Sequence, residues 1–547
     1  TNMKNMKTCL RKDEWIAATK KEDDAWRDNK VFMEVRRSSL TPAERKRLIS
    51  SFRIWVIKLD GRLKARTVLC GNQLPKPIDY SSIYSPTPKH ITVLFVISLF
   101  AYFGMEAAAG DFITGFQQVE INPGDEPTYA YPPPGFPCPP DTVWMMLVNM
   151  YGLPPSSRAL YDKADITLVD RLGFTRSIND PTLYFKFSSV EDDNVLGLTI
   201  ILLYVDDILS GSTIPGEAER IFSRLRKDGW KLTWEMWPET YLGYGLHFYE
   251  DGAIGVDQYK VEARSLAKLD FDKSIKENRL PGNPAIDDKQ LEEACLLYEG
   301  EKDVKVTYSP TDINRARRIV GVLQYLTQRL LPEICYGVMI CARRVHRPTK
   351  LMFKFLDSII GYIKYRHNLG RAMIIYEARK VGDPIDMSLD LYSDCSGPCS
   401  LSNGKSVNGI VVLLNGAPIF HCCSSQRIVA LSSAEGELIT LTEASKYGIL
   451  LMQMGHELGF KLKPVAHEDN EAAIKLTKNA VFFKRSKHIL NRFYYIRDLV
   501  TDDMMTVVHC PTSQQIADLL GKVKKDPRAF ELLRDNLLFI AVVDDSG

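Results

Sequence analysis

No stretch of this 547-residue chain holds the roughly 20 uninterrupted apolar residues that a bilayer crossing needs. The most apolar run, ITVLFVISLFAYFGMEAAAG from Ile91, is broken at Glu106, which predicts a buried core helix and no membrane partner. Charge of one sign is lacking too. With 70 Lys and Arg against 68 Asp and Glu, the net charge is +2, so a nucleic-acid surface has to come from local clustering. Paired cysteines are missing as well. The 11 cysteines are scattered and odd in number, which suits reduced thiols in an intracellular setting. Neither Cys395 with Cys399 nor Cys422 with Cys423 has the CxxC spacing of a structural zinc site. The absence of a repeat with a period of about 20 to 50 residues argues against a solenoid or propeller.

What is present is an ordinary globular composition, 45% hydrophobic and 25% charged, long enough for two to four domains. Strand-like runs such as SFRIWVIKL and GLTIILLYV alternate with helical stretches such as AERIFSRLRKDG, so the first 270 residues read as an α+β body. Residues 271–312 are polar, charged and broken by Gly and Pro, which marks a linker. Residues 313–380 turn helical and basic, with Arg315, Arg317, Arg318, Arg343, Arg344, Lys354, Lys364 and Arg366 beside apolar residues three and four apart. Such faces either grip phosphates or are simply solvated. Residues 385–525 change pattern again. DMSLDLYSD alternates like a strand, GIVVLLNGAPIFHCC is a hairpin about Asn415-Gly416, and Ser432 to Gly459 reads as one long helix, together a second α/β domain. Residues 526–547 are expected to be a tail.

The stretch LLYVDDILSG, residues 202–211, sets Asp206 and Asp207 between two apolar runs, the pattern of a hairpin whose turn presents carboxylates. Like charges held together call for a cation, and Mg²⁺ binds through one or two carboxylates plus substrate phosphates. Upstream, GDFITGFQQVEI offers Asp111 as a third carboxylate, which permits a two-metal clamp for phosphoryl transfer, and Phe116 follows five residues later.

From these pieces in order, the chain resembles the reverse transcriptase and ribonuclease H portion of copia-type long-terminal-repeat retrotransposon Pol polyproteins. EWIAATKKEDDAWRDN, WVIKLDGRLKARTVLCGNQ, YAYPPPGF, YGLPPSSRALYDK, FTRSINDPTLYF and TYLGYGLHF carry the first half of the resemblance, and LYSDCSG, LSSAEGELITLTEASK, AHEDNEAAIKL, KRSKHILNRFYYIRDLV and HCPTSQQIADLLGK the second. It implies a right-hand polymerase of fingers, palm and thumb, followed by an α/β ribonuclease H-like domain. In it Asp111, Asp206 and Asp207 would be the polymerase carboxylates, with Asp111 and Asp206 the main metal ligands. Phe116 would exclude a ribose 2′-hydroxyl, and Lys64, Arg66 and Arg158 would meet the incoming nucleotide. Asp394, Glu437, Asp469 and Asp518 would hold the nuclease metals. Glu435 lies about 200° from Glu437 around the helix, so only one can face them, and Glu437 fits the family pattern.

Arg343, Arg344, Lys354, Lys487 and Arg492 are the nucleic-acid contacts expected on this reading. Mg²⁺ is the expected cofactor, with Mn²⁺ as a substitute. The expected partners are an RNA template, a DNA primer, the RNA–DNA hybrid and deoxynucleoside triphosphates, with integrase and protease segments elsewhere in a longer polyprotein. The setting would be a cytoplasmic virus-like particle with a nuclear stage. Departures from the family are Leu153 to Ser157, where Leu-Pro-Pro-Ser-Ser replaces Leu-Lys-Gln-Ser-Pro, Cys70 in place of a second fingers arginine, and Ile113 where a polar residue is common. They leave open a decayed or co-opted element that binds nucleic acid without efficient polymerisation.

Overall fold

The computed structural model describes residues 11–57, 61–75, 83–121, 126–188, 197–269, 309–380, 382–396, 404–478, 490–521 and 526–541. Lys487 and nearly all of the expected linker lie outside them. The end of that linker moves inward. Ser309 accepts from Thr311 N and Pro310 takes the first helical position, so the helix Pro310–Thr327 begins before residue 313.

At the N-terminal end, the helix Lys12–Asp28 buries Trp15 and Trp26. Strands β1 (Phe32–Arg36) and β2 (Leu48–Ile49) follow, then a two-stranded ribbon of β3 (Ser51–Ile57) and β4 (Leu63–Leu69). One face of the ribbon is fastened to the helix: Arg53 pairs with Asp23 at 2.7 Å, Trp55 Nε1 donates to Thr19 Oγ1 at 3.2 Å, and Thr67 N donates to Glu22 Oε1 at 2.9 Å. Strand side chains alternate, so Lys64 and Arg66, opposite Val56 and Ile54, take the other face.

The palm is built on β5 (Glu106–Phe112). β6 (Tyr129–Ala130) and β7 (Thr142–Met146) return to the first sheet in the order β1-β7-β6-β2. β8 (Thr175–Arg176), β9 (Leu183–Phe187), β10 (Leu198–Tyr204), β11 (Asp207–Ser212) and β12 (Leu232–Met236) join β5 in an antiparallel sheet ordered β12-β5-β11-β10-β9-β8. Helices cover both its faces, which is why its centre is made of small residues. A Cβ on Gly211 would stand 2.2 Å from Phe100 of the helix His90–Tyr102, and one on Gly110 2.4 Å from Phe222 of the helix Glu217–Lys227. The apolar run at Ile91 is thus the buried helix His90–Tyr102, and no helix among the described residues is long and apolar enough to cross a membrane.

β13 (Thr240–Tyr241), β14 (Tyr244–Phe248) and β15 (Ile254–Asp257) begin a third sheet, which β16 (Arg371–Tyr376) joins after the helices Pro310–Thr327, Cys335–Ala342 and Lys350–Leu369. The helical pattern of that middle segment holds, but two of its cations are not surface groups. Arg366 is 1% exposed, ion-paired with Glu333 at 2.7 Å and with Glu262, and Arg344 is buried. Period and composition give a helix; they do not say which cation faces the protein.

The second α/β domain contains β17 (Leu389–Cys395), β18 (Val407–Leu414), β19 (Ala417–Ser425), β20 (Pro464–Glu468) and β21 (Thr506–His509) in the order β19-β18-β17-β20-β21, antiparallel in the hairpins and parallel from β17 onward. Asn415 and Gly416 both have positive φ, as the tight hairpin requires. The long helix is Ser433–Glu457, capped by Ser432. Within the expected tail, residues 526–541 carry regular structure: a helix Pro527–Asp535 leads into β22 (Phe539–Ala541), which pairs antiparallel with β16 and closes the third sheet. The second domain sits directly on the palm. Glu457 accepts from Ile178 N and Asn179 Nδ2 at 2.9 Å each, Tyr102 Oη donates to Asp386 O at 3.0 Å, and one apolar core runs from the palm helix into the β17–β20 sheet.

Two candidate carboxylate centres

β10 and β11 pair Tyr204 with Asp207, leaving Val205-Asp206 as a two-residue turn. Val205 has φ +57°, a left-handed conformation that costs a β-branched residue about 1–3 kcal/mol. Strain of this kind persists where the surroundings fix the turn. Asp207 stands opposite Asp111 across the β11–β5 ladder, and Phe112 N donates to Asp206 O at 2.9 Å, so the three acidic residues share one end of the sheet. Burial, then the charges of Asp206 and Asp111, push the Asp207 carboxyl up to about 7. Negative charge gathered at one strand end in this way suits a hard divalent cation, although among the described residues the oxygens of these three acids do not all meet within 4.8 Å as those of the second centre do. A cleft of about 420 Å³ opens beside Asp111 and Asp207, lined also by Thr233, Trp234 and Tyr241.

The fingers ribbon brings Arg66 to this end. Its guanidinium lies 5.2 Å from the centre of the Tyr151 ring, which meets Phe116 edge to face at 4.7 Å. The Tyr151 hydroxyl is pushed up to about 12, by burial first, then by Asp206; Arg66 opposes the shift and Asp111 adds to it. Arg66, Tyr151, Phe116, Asp206 and Asp111 therefore converge. Tyr151 escaped the sequence reading. Its signal was the glycine after it: Gly152 has φ +92°, and a Cβ there would stand 2.0 Å from Leu69 O of β4. Leu69 N donates to Tyr151 O at 2.9 Å, which stitches the fingers to this turn.

The remaining nucleotide candidates lie otherwise. Lys64 is half-buried on β4. Arg158 is committed to its own helix, Ser156–Ile166, pairing with Asp162 at 2.8 Å. Pro154 and Pro155 form the turn before that helix, with Pro155 at its N-cap.

The second centre is assembled from strands and helices of the α/β domain. Asp394 ends β17, Glu437 lies in the first turns of the long helix, and Asp469 follows β20; carboxylate oxygens of the three lie within 4.8 Å of one another. Asp394 and Glu437 are buried, and Glu437 Oε2 is buried without a hydrogen-bond partner among the described residues. Burial, then Glu468, Asp394 and Asp469, raise the Glu437 carboxyl well above its ordinary range. The donor set again fits a hard cation, the partner that an unpaired buried carboxylate oxygen lacks. Asp518 begins the short helix Asp518–Gly521 and is buried; that helix reaches Asp394, since a Cβ on Gly521 would stand 2.7 Å from Asp394 Oδ2. It is not one of the three oxygens that meet.

Glu435 faces elsewhere: its carboxylate accepts from Leu431 N at 2.8 Å while its own N–H donates to Ser432 Oγ, closing the helix start. A further acid, Glu468, is fully buried behind Asp469, its carboxyl also pushed up by burial. Its only sequence signal was adjacency to Asp469.

Residues 40–276 match the reverse transcriptase (RNA-dependent DNA polymerase) family model. That reverse transcriptase span contains the first centre with Arg66, Phe116 and Tyr151, and ends before the second. The chain is similar to the retrovirus-related Pol polyprotein from transposon TNT 1-94 of Nicotiana tabacum, 29% identical over 500 residues, which cover 88% of this chain and 35% of the relative. It is also similar to that from transposon RE1 of Arabidopsis thaliana, 27% identical over 468 residues, 84% of this chain and 29% of the relative. The chain thus spans about a third of the length of these relatives. A foamy viral protease-reverse transcriptase in complex with double-stranded DNA overlays with a TM-score of 0.47 at 12% identity, covering 91% of this chain and 70% of that one. The fold stands on the strand order: an α+β body followed by an α/β domain.

Of the expected nucleic-acid contacts, Arg343 is exposed and donates to Ser425 Oγ at 3.2 Å, Lys354 is exposed, and Arg492 is half-buried on the helix Leu490–Thr501. Arg344, buried, is withdrawn from that set.

Proposed function

We propose that the chain is an RNA-directed DNA polymerase with an attached ribonuclease H, copying a retrotransposon transcript and cutting the RNA strand of the resulting hybrid. The observation that carries this reading is the pair of separate carboxylate centres, the first with an arginine and two aromatic rings beside it. At the first, Asp111, Asp206 and Asp207 would hold Mg²⁺, with Mn²⁺ as a substitute. At the second, Asp394, Glu437 and Asp469 would do so, with Asp518 alongside. Bound there, such cations supply Lewis-acid activation of the attacking oxygen and neutralise charge on the phosphate.

The chain's own groups do the rest. Arg66 offers a forked donor to a triphosphate, Tyr151 holds its guanidinium in place, and Phe116, backed by Tyr151, walls off the 2′ side of the sugar. In the second centre, burial keeps bulk water from competing for the carboxylates. The substrates are an RNA template, a DNA primer and deoxynucleoside triphosphates, then the RNA–DNA hybrid. Arg343, Lys354, Lys487 and Arg492 would meet its backbone. Integrase and protease segments would accompany the chain in a longer polyprotein, acting in a cytoplasmic virus-like particle with a nuclear stage. Primer extension on an RNA template with Mg²⁺ tests the reading. Template-dependent DNA synthesis is expected, and binding without synthesis would favour a co-opted element, which the Pro154-Pro155 turn also suits.

A further inference from the structure

We propose that Gln515 and Thr512 are positioning residues for the second centre, holding the ends of β17 and β20 at the spacing that lets Asp394 and Asp469 share a divalent cation. The proposal rests on the nuclease reading above. The parallel ladder between these strands ends with Tyr392 opposite His467. Just beyond lie Ser393 then Asp394 on one strand, and Glu468 then Asp469 on the other. Gln515 takes over where the ladder stops. Its Nε2 donates to Ser393 O and to His467 O, 3.1 Å each, so one amide nitrogen ties both strands immediately before their acidic residues. An amide nitrogen carries two protons, so both bonds form at once. Its Oε1 accepts from Ala517 N at 3.3 Å, which fixes the way the amide faces, and the side chain is fully buried.

Three residues earlier in the same turn, Thr512 Oγ1 donates to Asp469 Oδ2 at 2.9 Å. The turn therefore sets both the strand spacing and the rotation of one carboxylate. The cluster itself is made of the carboxylates of Asp394, Glu437 and Asp469, and the polar atoms of Gln515 and Thr512 are spent on the strands and on Asp469. Their effect reaches the metal through the residues they hold, and the loss of such outer partners typically weakens metal binding about 10- to 100-fold.

The test measures Mn²⁺ binding by electron paramagnetic resonance on the full chain carrying Asp111→Asn and Asp206→Asn, which silences the first centre. A Mn²⁺ site that Asp394→Asn abolishes is expected. Gln515→Met, close in volume but without donors, should weaken it about tenfold or more, and Thr512→Val by less. In chains with an intact first centre, the Mg²⁺ concentration for half-maximal hybrid cleavage should rise in step while KM for the hybrid stays unchanged. Thr512 lies on an exposed turn, so its variant decides the matter if Gln515→Met does not fold. Wild-type Mn²⁺ affinity in the variants would overturn the proposal and leave the nuclease reading standing. No Asp394-dependent Mn²⁺ site at all would overturn both.

Discussion

The two centres solve one electrostatic problem in opposite ways. The palm places its acids at a hairpin turn and a strand end, with Asp111 exposed and Asp206 half-buried, and Arg66 and Tyr151 meet them on one side. The α/β domain draws its acids from two strand ends and a helix, buries Asp394 and Glu437, and backs them with the fully buried Glu468. On the proposed reading a primer end and a triphosphate would pass through this site, so it would have to stay open and draw its precision from a strained turn and from groups of another subdomain. A site that on the same reading would cut a hybrid laid across it can be built ahead of time. Burial then favours the protonated form of Glu437 and Glu468 until a cation arrives.

That contrast can be broken from either end. The largest effect is expected at Glu437: Glu437→Gln should lower hybrid cleavage by about a hundredfold or more, since it removes a proposed metal ligand. Glu435→Gln should cost about 1 kcal/mol of stability through the weakened helix cap and leave cleavage mostly intact. A cleavage assay with a thermal melt on both variants checks the pair, and the reverse pattern would mean that the other helix face meets the substrate.

Next comes selectivity. Phe116→Val should admit ribonucleotides, narrowing the deoxyribose preference by roughly 10- to 200-fold, the usual range for one group in an apolar pocket. An unchanged preference in single-nucleotide incorporation would reduce Phe116 to a core aromatic.

A pH dependence should separate the centres. Asp207, held near 7, must lose a proton to bind a cation, so the Mg²⁺ requirement for synthesis should fall as pH rises from 6 to 8. Glu437 is shifted further, so the requirement for cleavage should keep falling above pH 8. For the metal-free fold the sign is the reverse: an acid held above its unfolded pKa contributes stability that is lost as pH rises from about 4 through 7, which denaturant titration against pH would show. Parallel Mg²⁺ curves for the two activities would contradict the contrast.

The smallest effect is expected at the turn before the helix Ser156–Ile166. Replacing Pro154-Pro155 by Lys-Gln should lower KM for deoxynucleotides, by threefold or more if one hydrogen bond worth about 0.5 to 1.5 kcal/mol is gained. Equal KM values in steady-state titrations would show that the prolines only shape the turn.

What could be read in advance was whatever a local pattern specifies. The Asp206-Asp207 turn, the Asn415-Gly416 hairpin and the long helix from Ser433 each follow from a few adjacent residues. Groups whose role is set by distant neighbours could not be read that way. Tyr151 matters because β4 delivers Arg66 to its ring, Gln515 because two strands end beside it, and β22 because β16 offers an edge far upstream. Arg344 and Arg366 show the same gap in reverse, since helical period alone does not tell a buried guanidinium from one that meets a phosphate.

The most direct test of two separate centres on one chain is Asp206→Asn assayed on a single primer–RNA template, following primer length and RNA cuts together. DNA synthesis should vanish while cleavage of a preformed hybrid stays near the wild-type rate. Loss of both activities to the same degree, in a chain that still folds, would contradict the account.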